Sequence, residues 1–146
     1  MTAHPTAPAR PRSPHLGAIL LLGAYGLALL AIAFWPTPVD RGAGPLLRAI
    51  TRAFPWLTYD AIEFTANILL FVPLGILLAV ILRAERPLLL PVILATTLLV
   101  EGGQLLLPER TATLRDVLAN TLGGLIGWGI VELRGRRGRR MPSHGP

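Results

Sequence analysis

Five polar side chains stand in the third and fourth apolar segments of this chain: Glu101, Gln104, Arg110, Asp116 and Asn120, set among leucine, valine and glycine. A carboxylate such as Glu101 can accept or release a proton, and a guanidinium such as Arg110 can clamp a phosphate or carboxylate. An ionisable group at mid-bilayer costs about 2.5 to 3.5 kcal/mol on insertion scales, so Glu101 needs a partner or a watery cavity and tends to mark a pathway, relay or site. The plainer reading is that these groups hold helices together. Asn67, Gln104 and Asn120 would then bond across helices, the carboxylates would pair with Arg110 or Arg115, and Arg110 would snorkel to a lipid phosphate.

What is missing narrows the chemistry further. There is no cysteine, serine occurs only at Ser13 and Ser143, and histidine only at His4, His15 and His144, all in the tails. A serine or cysteine nucleophile with a histidine base is therefore not available to the apolar segments, nor is a histidine or thiolate metal site. No metal and no cofactor is expected. A paired-aspartate mechanism needs a second intramembrane aspartate, and only Asp116 is present, at the entrance to a span. Carboxylate chemistry remains, with Glu101 as candidate catalytic acid or base and Arg110 stabilising developing negative charge.

The elements that must position these residues follow from composition. The chain of 146 residues is 52% hydrophobic and 15% charged with a mean hydropathy of +0.56, where a soluble domain carries roughly 25% charge. These values predict an all-α integral membrane bundle of about four transmembrane helices with no separate soluble domain. Residues 1–15, rich in proline and alanine, read as a disordered tail; residues 16–133 form the membrane domain; residues 134–146 form a basic tail. Spans are expected over residues 16–35, 63–82, 88–107 and 116–131, each of them near the length needed to cross about 30 Å of hydrocarbon. The first also has the basic flank of a signal peptide, but its apolar run exceeds the usual core of about 7 to 15 residues, which favours a retained span. In the long loop of residues 36–62, Leu46, Leu47, Ile50, Ala53, Phe54 and Leu57 recur at helical spacing opposite Arg48 and Arg52. This pattern predicts a short interfacial helix with Trp56 and Tyr59 at headgroup depth.

Every basic residue is arginine, and most lie just outside apolar runs, so the net charge of +6 fits lipid and orientation better than nucleic acid. The N-terminal tail holds two arginines, the turn after the second span two and the C-terminal tail five, nine on one side against five on the other. The positive-inside rule then places both termini in the cytoplasm. In that orientation Glu63, Asn67, Glu101, Gln104, Asp116 and Asn120 all fall toward the outer ends of their spans. Thr97, Glu101 and Gln104 share one helical stripe, and Asp116 and Asn120 share another that continues through Gly123 and Gly127. The latter two form a small-xxx-small pair for close helix approach. Pro73 cannot donate to the carbonyl of Leu69, so an amide such as Gln104 or Asn120, or a local widening of the helix, is expected to satisfy it, with Gly75 easing the kink.

The ordered set Asn67, Phe71, Pro73, Gly75, Glu101, Gln104, Arg110, Asp116, Asn120, Gly123 and Gly127, over residues 65–131, resembles the VanZ-like family of prokaryotic membrane proteins. Where that family often has a second aspartate three residues before the Asp116 position, this chain has Thr113, and before Arg110 it has Glu109 in place of glycine. The resemblance implies a small multi-pass protein of a prokaryotic plasma membrane, with members linked to low-level teicoplanin resistance. Some relatives carry an acyltransferase-type label that none of these residues supports. The expectation is an outward-facing polar pocket, formed by Asn67, Glu101, Gln104, Arg110, Asp116 and Asn120, that binds an anionic lipid or lipid-linked envelope precursor. The alternatives are a membrane-embedded acid/base enzyme using Glu101 and Arg110, or a structural or ion-pathway role.

Overall fold

The computed structural model describes residues 14–35, 42, 44–108 and 113–139, and these residues are helical with no strand among them. Helix α1 runs Pro14–Ala33, α2 Gly44–Ala53, α3 Tyr59–Ile81, α4 Leu89–Gln104 and α5 Leu114–Arg139. A single 3-10 turn at Arg86–Leu88 leads into α4. The expected N-terminal tail and the last residues of the C-terminal tail lie outside the described residues, as does Arg110.

Among the described residues three stretches are long and apolar enough to cross a membrane: Leu16–Ala33, Tyr59–Ile81 and Arg86–Gln104. They leave large apolar side chains on the outer surface, with Leu27 71% exposed, Leu69 64% and Leu99 75%, which is tolerable against hydrocarbon and not against water. The chain is thus a helical membrane protein. Helix α5 is long enough at 26 residues, but its glycines and polar residues dilute its hydropathy, and it lies along α3 over its length. Near one end Asn67 of α3 meets Asp116 of α5, and near the other Arg86 beyond α3 meets Glu132 of α5. Helices α3 and α5 therefore run parallel and cover the same thickness, with α4 antiparallel to both.

The contact between α3 and α5 rests on glycine, as the small-xxx-small spacing predicted. A β-carbon built at Gly127 would fall 2.7 Å from the Ile76 nitrogen, and one at Gly123 would fall 2.9 Å from the Phe71 β-carbon. Gly75 faces Gly124 across the same seam, and Gly124 also receives the Ile93 side chain of α4. Small residues on both sides let α5 wedge between α3 and α4. Phe71, Leu74, Leu78, Leu89 and Ile93 fill the core beneath, joined by Leu29 and Ala33 of α1.

The helix ends differ from the expected boundaries for local reasons. Helix α3 begins at Tyr59, not near residue 63, because Thr58 caps it, its hydroxyl accepting from the Ala61 N–H at 3.2 Å, with Asp60 in the first turn. Helix α4 stops at Gln104 just after Gly102 and Gly103, and Leu106 and Leu107 bond back to the carbonyls of Gly103 and Gln104 in tighter turns. Helix α5 continues past residue 131, carrying Arg134, Arg136 and Arg137 on a helical extension. The short helix expected in the long loop is α2; none of its residues is buried, and beyond it Trp56 is 76% exposed with its ring edge-on to Phe54. Pro73 lies within an unbroken α3. Neither expected amide serves the Leu69 carbonyl: Gln104 and Asn120 bond elsewhere, and the Tyr25 hydroxyl of α1 donates one residue further on, to the carbonyl of Leu70.

Candidate functional site

The polar end is where the C-termini of α1 and α4 meet the N-termini of α3 and α5. Asn120 and Glu101 are both buried there, and the Asn120 amide donates to Glu101 Oε1 at 3.0 Å. Thr97, one turn before Glu101, is 0% exposed, and its hydroxyl and Asn120 Oδ1 have no hydrogen-bond partner among the described residues. These buried acceptors and donors cost free energy where they stand, since nothing else in an apolar bundle replaces water.

Asp116 has a different environment. Its Oδ1 accepts from the Asn67 amide at 3.0 Å and its Oδ2 from the Thr113 hydroxyl at 2.6 Å. Thr113 in turn caps α5, accepting from the Asp116 N–H at 3.2 Å. A carboxylate in the first turn of a helix is also favoured by the helix dipole. Folding alone accounts for Asp116. The threonine that replaces the family's second aspartate thus supplies the cap and a hydrogen bond to the remaining one.

Glu101 stands in a less favourable field. It lies in the last turn of α4, where the dipole opposes negative charge, and it is only 6% exposed. The α4 cap uses the Glu101 backbone, whose carbonyl accepts from the Leu105 N–H, while its carboxylate accepts from the Asn120 amide of α5.

The remaining residues divide. Gln104 donates to the Ala33 carbonyl at 3.0 Å and so closes the open end of α1, beside Phe34, which packs on Gly103. Arg115 does not join Glu101 or Asp116 in an ion pair: its guanidinium bridges Asp60 at 2.9 Å and Glu63 at 3.0 Å. The hydrogen bond it donates to Asp60, with the charges of Asp60, Glu63 and Asp116, holds it above the ordinary arginine value. The structure therefore joins Glu101 to Asn120 and Asn67 to Asp116, links the two pairs through one face of α5, and sets Gln104 apart. Sequence reading missed the Asp60, Glu63 and Arg115 bridge and the role of Thr113. Their signals were a pair of acids three apart at the head of α3 and a threonine three before an aspartate. Among the described residues no group of histidine, aspartate and glutamate is arranged to hold a metal ion.

Buried polar groups gathered at one end of a glycine-wedged apolar bundle define a multi-pass helical membrane protein with a polar end. The chain belongs to the VanZ/LLP1 family, whose family model matches residues 22–135. That match takes in most of α1 and the long loop as well as the 65–131 stretch that carries the resemblance by eye. Neither a curated protein nor a solved structure matches the chain.

Proposed function

We propose that the chain acts at a prokaryotic cell envelope, in the plasma membrane with both termini cytoplasmic and its polar end outward, by binding an anionic lipid or lipid-linked precursor. The observation that carries this reading is the carboxylate of Glu101, an ionisable group buried in the last turn of α4 with the Asn120 amide on its Oε1. Costly buried ionisable groups in membrane bundles tend to serve a ligand or a proton. Arg110, close in sequence to this end, supplies the contact to the anion. Glu101 and Asn120 accept from hydroxyl or amide groups of the ligand, with Asn67 and Asp116 shaping the entrance and Gln104 fixing α1 beside it. Low-level tolerance of teicoplanin, which the family resemblance implies, is the corresponding phenotype.

A second reading, acid/base catalysis by Glu101 with Arg110 stabilising negative charge, is favoured by the 3.0 Å amide contact that orients one carboxylate oxygen. One pair of substitutions separates the two. Glu101→Gln keeps shape and hydrogen bonding but removes basicity, whereas Arg110→Ala removes the anion contact. Binding predicts that teicoplanin tolerance of expressing cells survives the first and is lost in the second. Loss in both favours the enzyme, and survival in both at normal expression discards the polar end as the site.

A further inference from the structure

At the opposite end of the bundle, the last turns of α3, the turn into α4 and the extension of α5 enclose a cleft of about 490 Å³. Arg83, Arg86 and Arg136 stand around it with one carboxylate, Glu132, while Ala79 and Val131 form an apolar wall. Arg86 is held by Glu132 at 3.0 Å and keeps 46% of its side chain exposed. Arg83 and Arg136 have no hydrogen bond or ion pair to any described residue. Gly135 adds no bulk, and a β-carbon there would meet nothing within 4 Å. Three guanidiniums thus face one space with one carboxylate to balance them.

Such a cleft attracts an anion, and guanidinium geometry suits the two oxygens of a phosphate. Two features say which source of phosphate fits. The volume falls in the range of about 300 to 1,000 Å³ typical of small organic ligands, more room than one ion needs. The cleft also lies at the ends of two apolar spans, between the end of α3 at Ile81 and the start of α4 at Leu89, with Ala79 and Val131 as an apolar wall beside the charges. An acylated glycerol can lie along that wall while its phosphate meets the rim. We propose that this cleft binds the headgroup phosphate of an anionic phospholipid from the leaflet on that side. It is separate from the polar end in residues and in position, and it stands whether or not Glu101 and Arg110 bind anything.

The test uses the full chain in detergent, with phosphatidylglycerol and phosphatidylcholine titrated in turn and bound lipid read by native mass spectrometry. Phosphatidylglycerol is expected to bind in preference, and Arg83→Gln/Arg136→Gln to weaken it by about thirtyfold, from roughly fivefold per arginine near a membrane surface. Arg134→Gln/Arg137→Gln removes the same charge, from positions on α5 outside the cleft lining, and is expected to change binding by less than about threefold. Both pairs replace exposed residues, so circular dichroism of each serves as the folding control. Equal weakening in the two pairs would reduce the effect to a diffuse basic tail and overturn the site. Equal binding of the two lipids would overturn it as well. Inorganic phosphate at millimolar concentration is expected to leave the lipid bound; full displacement would assign the cleft to free phosphate and overturn the lipid.

Discussion

Placing a methyl group in the α3 and α5 seam is the sharpest structural perturbation available, because the same change one turn or less away should have the opposite sign. In Gly127→Ala the new carbon would lie 2.7 Å from the Ile76 nitrogen and closer still to the Val72 carbonyl oxygen, where ordinary contact begins near 3.4 Å. Both neighbours are backbone, so a helix must move by about 0.7 Å or more, the difference between those two distances. Overpacking of this kind costs about 1 to 3 kcal/mol, against at most about 1 kcal/mol gained from replacing glycine within a helix. The expected net loss is about 1 to 2 kcal/mol. Gly129→Ala meets nothing within 4 Å on the same helix, so only the propensity gain remains, up to about 1 kcal/mol. Reversible unfolding in mixed micelles, followed by circular dichroism against the fraction of denaturing detergent, measures both. If Gly127→Ala is as stable as Gly129→Ala, α5 does not wedge against α3 and the geometry derived for the polar end loses its support.

Other predictions follow from single contacts. A double-mutant cycle of Glu101→Ala and Asn120→Ala in the same unfolding assay should give a coupling of about 0.6 to 1.7 kcal/mol, the span found for interhelical polar bonds, and additivity within error would remove their contact. Tyr25→Phe, which takes the outside donor from the Leu70 carbonyl, should lower stability by about 0.6 kcal/mol, with no change if that carbonyl is satisfied otherwise. Arg115→Gln should destabilise at low ionic strength and less so at high, because its bridge to Asp60 and Glu63 is partly exposed and screened by salt; a loss independent of salt would contradict that bridge. The chain has no cysteine, so single cysteines at Thr37, Thr111 and Ser143 can be probed in intact cells with an impermeant thiol reagent. Labelling at positions 37 and 111 with protection at 143 is expected, and the reverse would turn the polar end inward.

The parts of this structure legible in the sequence were those set by one segment alone. Apolar length gave α1, α3 and α4, amphipathic spacing gave α2, and Gly123 with Gly127 announced the close seam before any partner was known. Boundaries failed where a short-range polar contact outweighed hydropathy, as at Thr58 and Thr113, whose caps start helices in segments that hydropathy reads as loop. Partners were the least legible. Gln104 could as well have met Pro73 as Ala33, and Arg115 could as well have met Glu101 as Glu63, since such choices depend on the rotation of one helix against another. Helical periodicity fixes which residues share a face and not which neighbour that face meets. The structure also separates two carboxylates that look alike in sequence: Asp116 is held at the cap of the helix it begins, and Glu101 by an amide on a neighbouring helix.

Native mass spectrometry of the chain purified from a bacterial membrane bears most directly on the function assigned to that polar end. The account predicts a copurified anionic or polyprenyl-linked lipid whose adduct is lost in Arg110→Ala and kept in Arg83→Gln/Arg136→Gln. An adduct pattern unchanged by Arg110→Ala, or one lost only with Arg83 and Arg136, would contradict it.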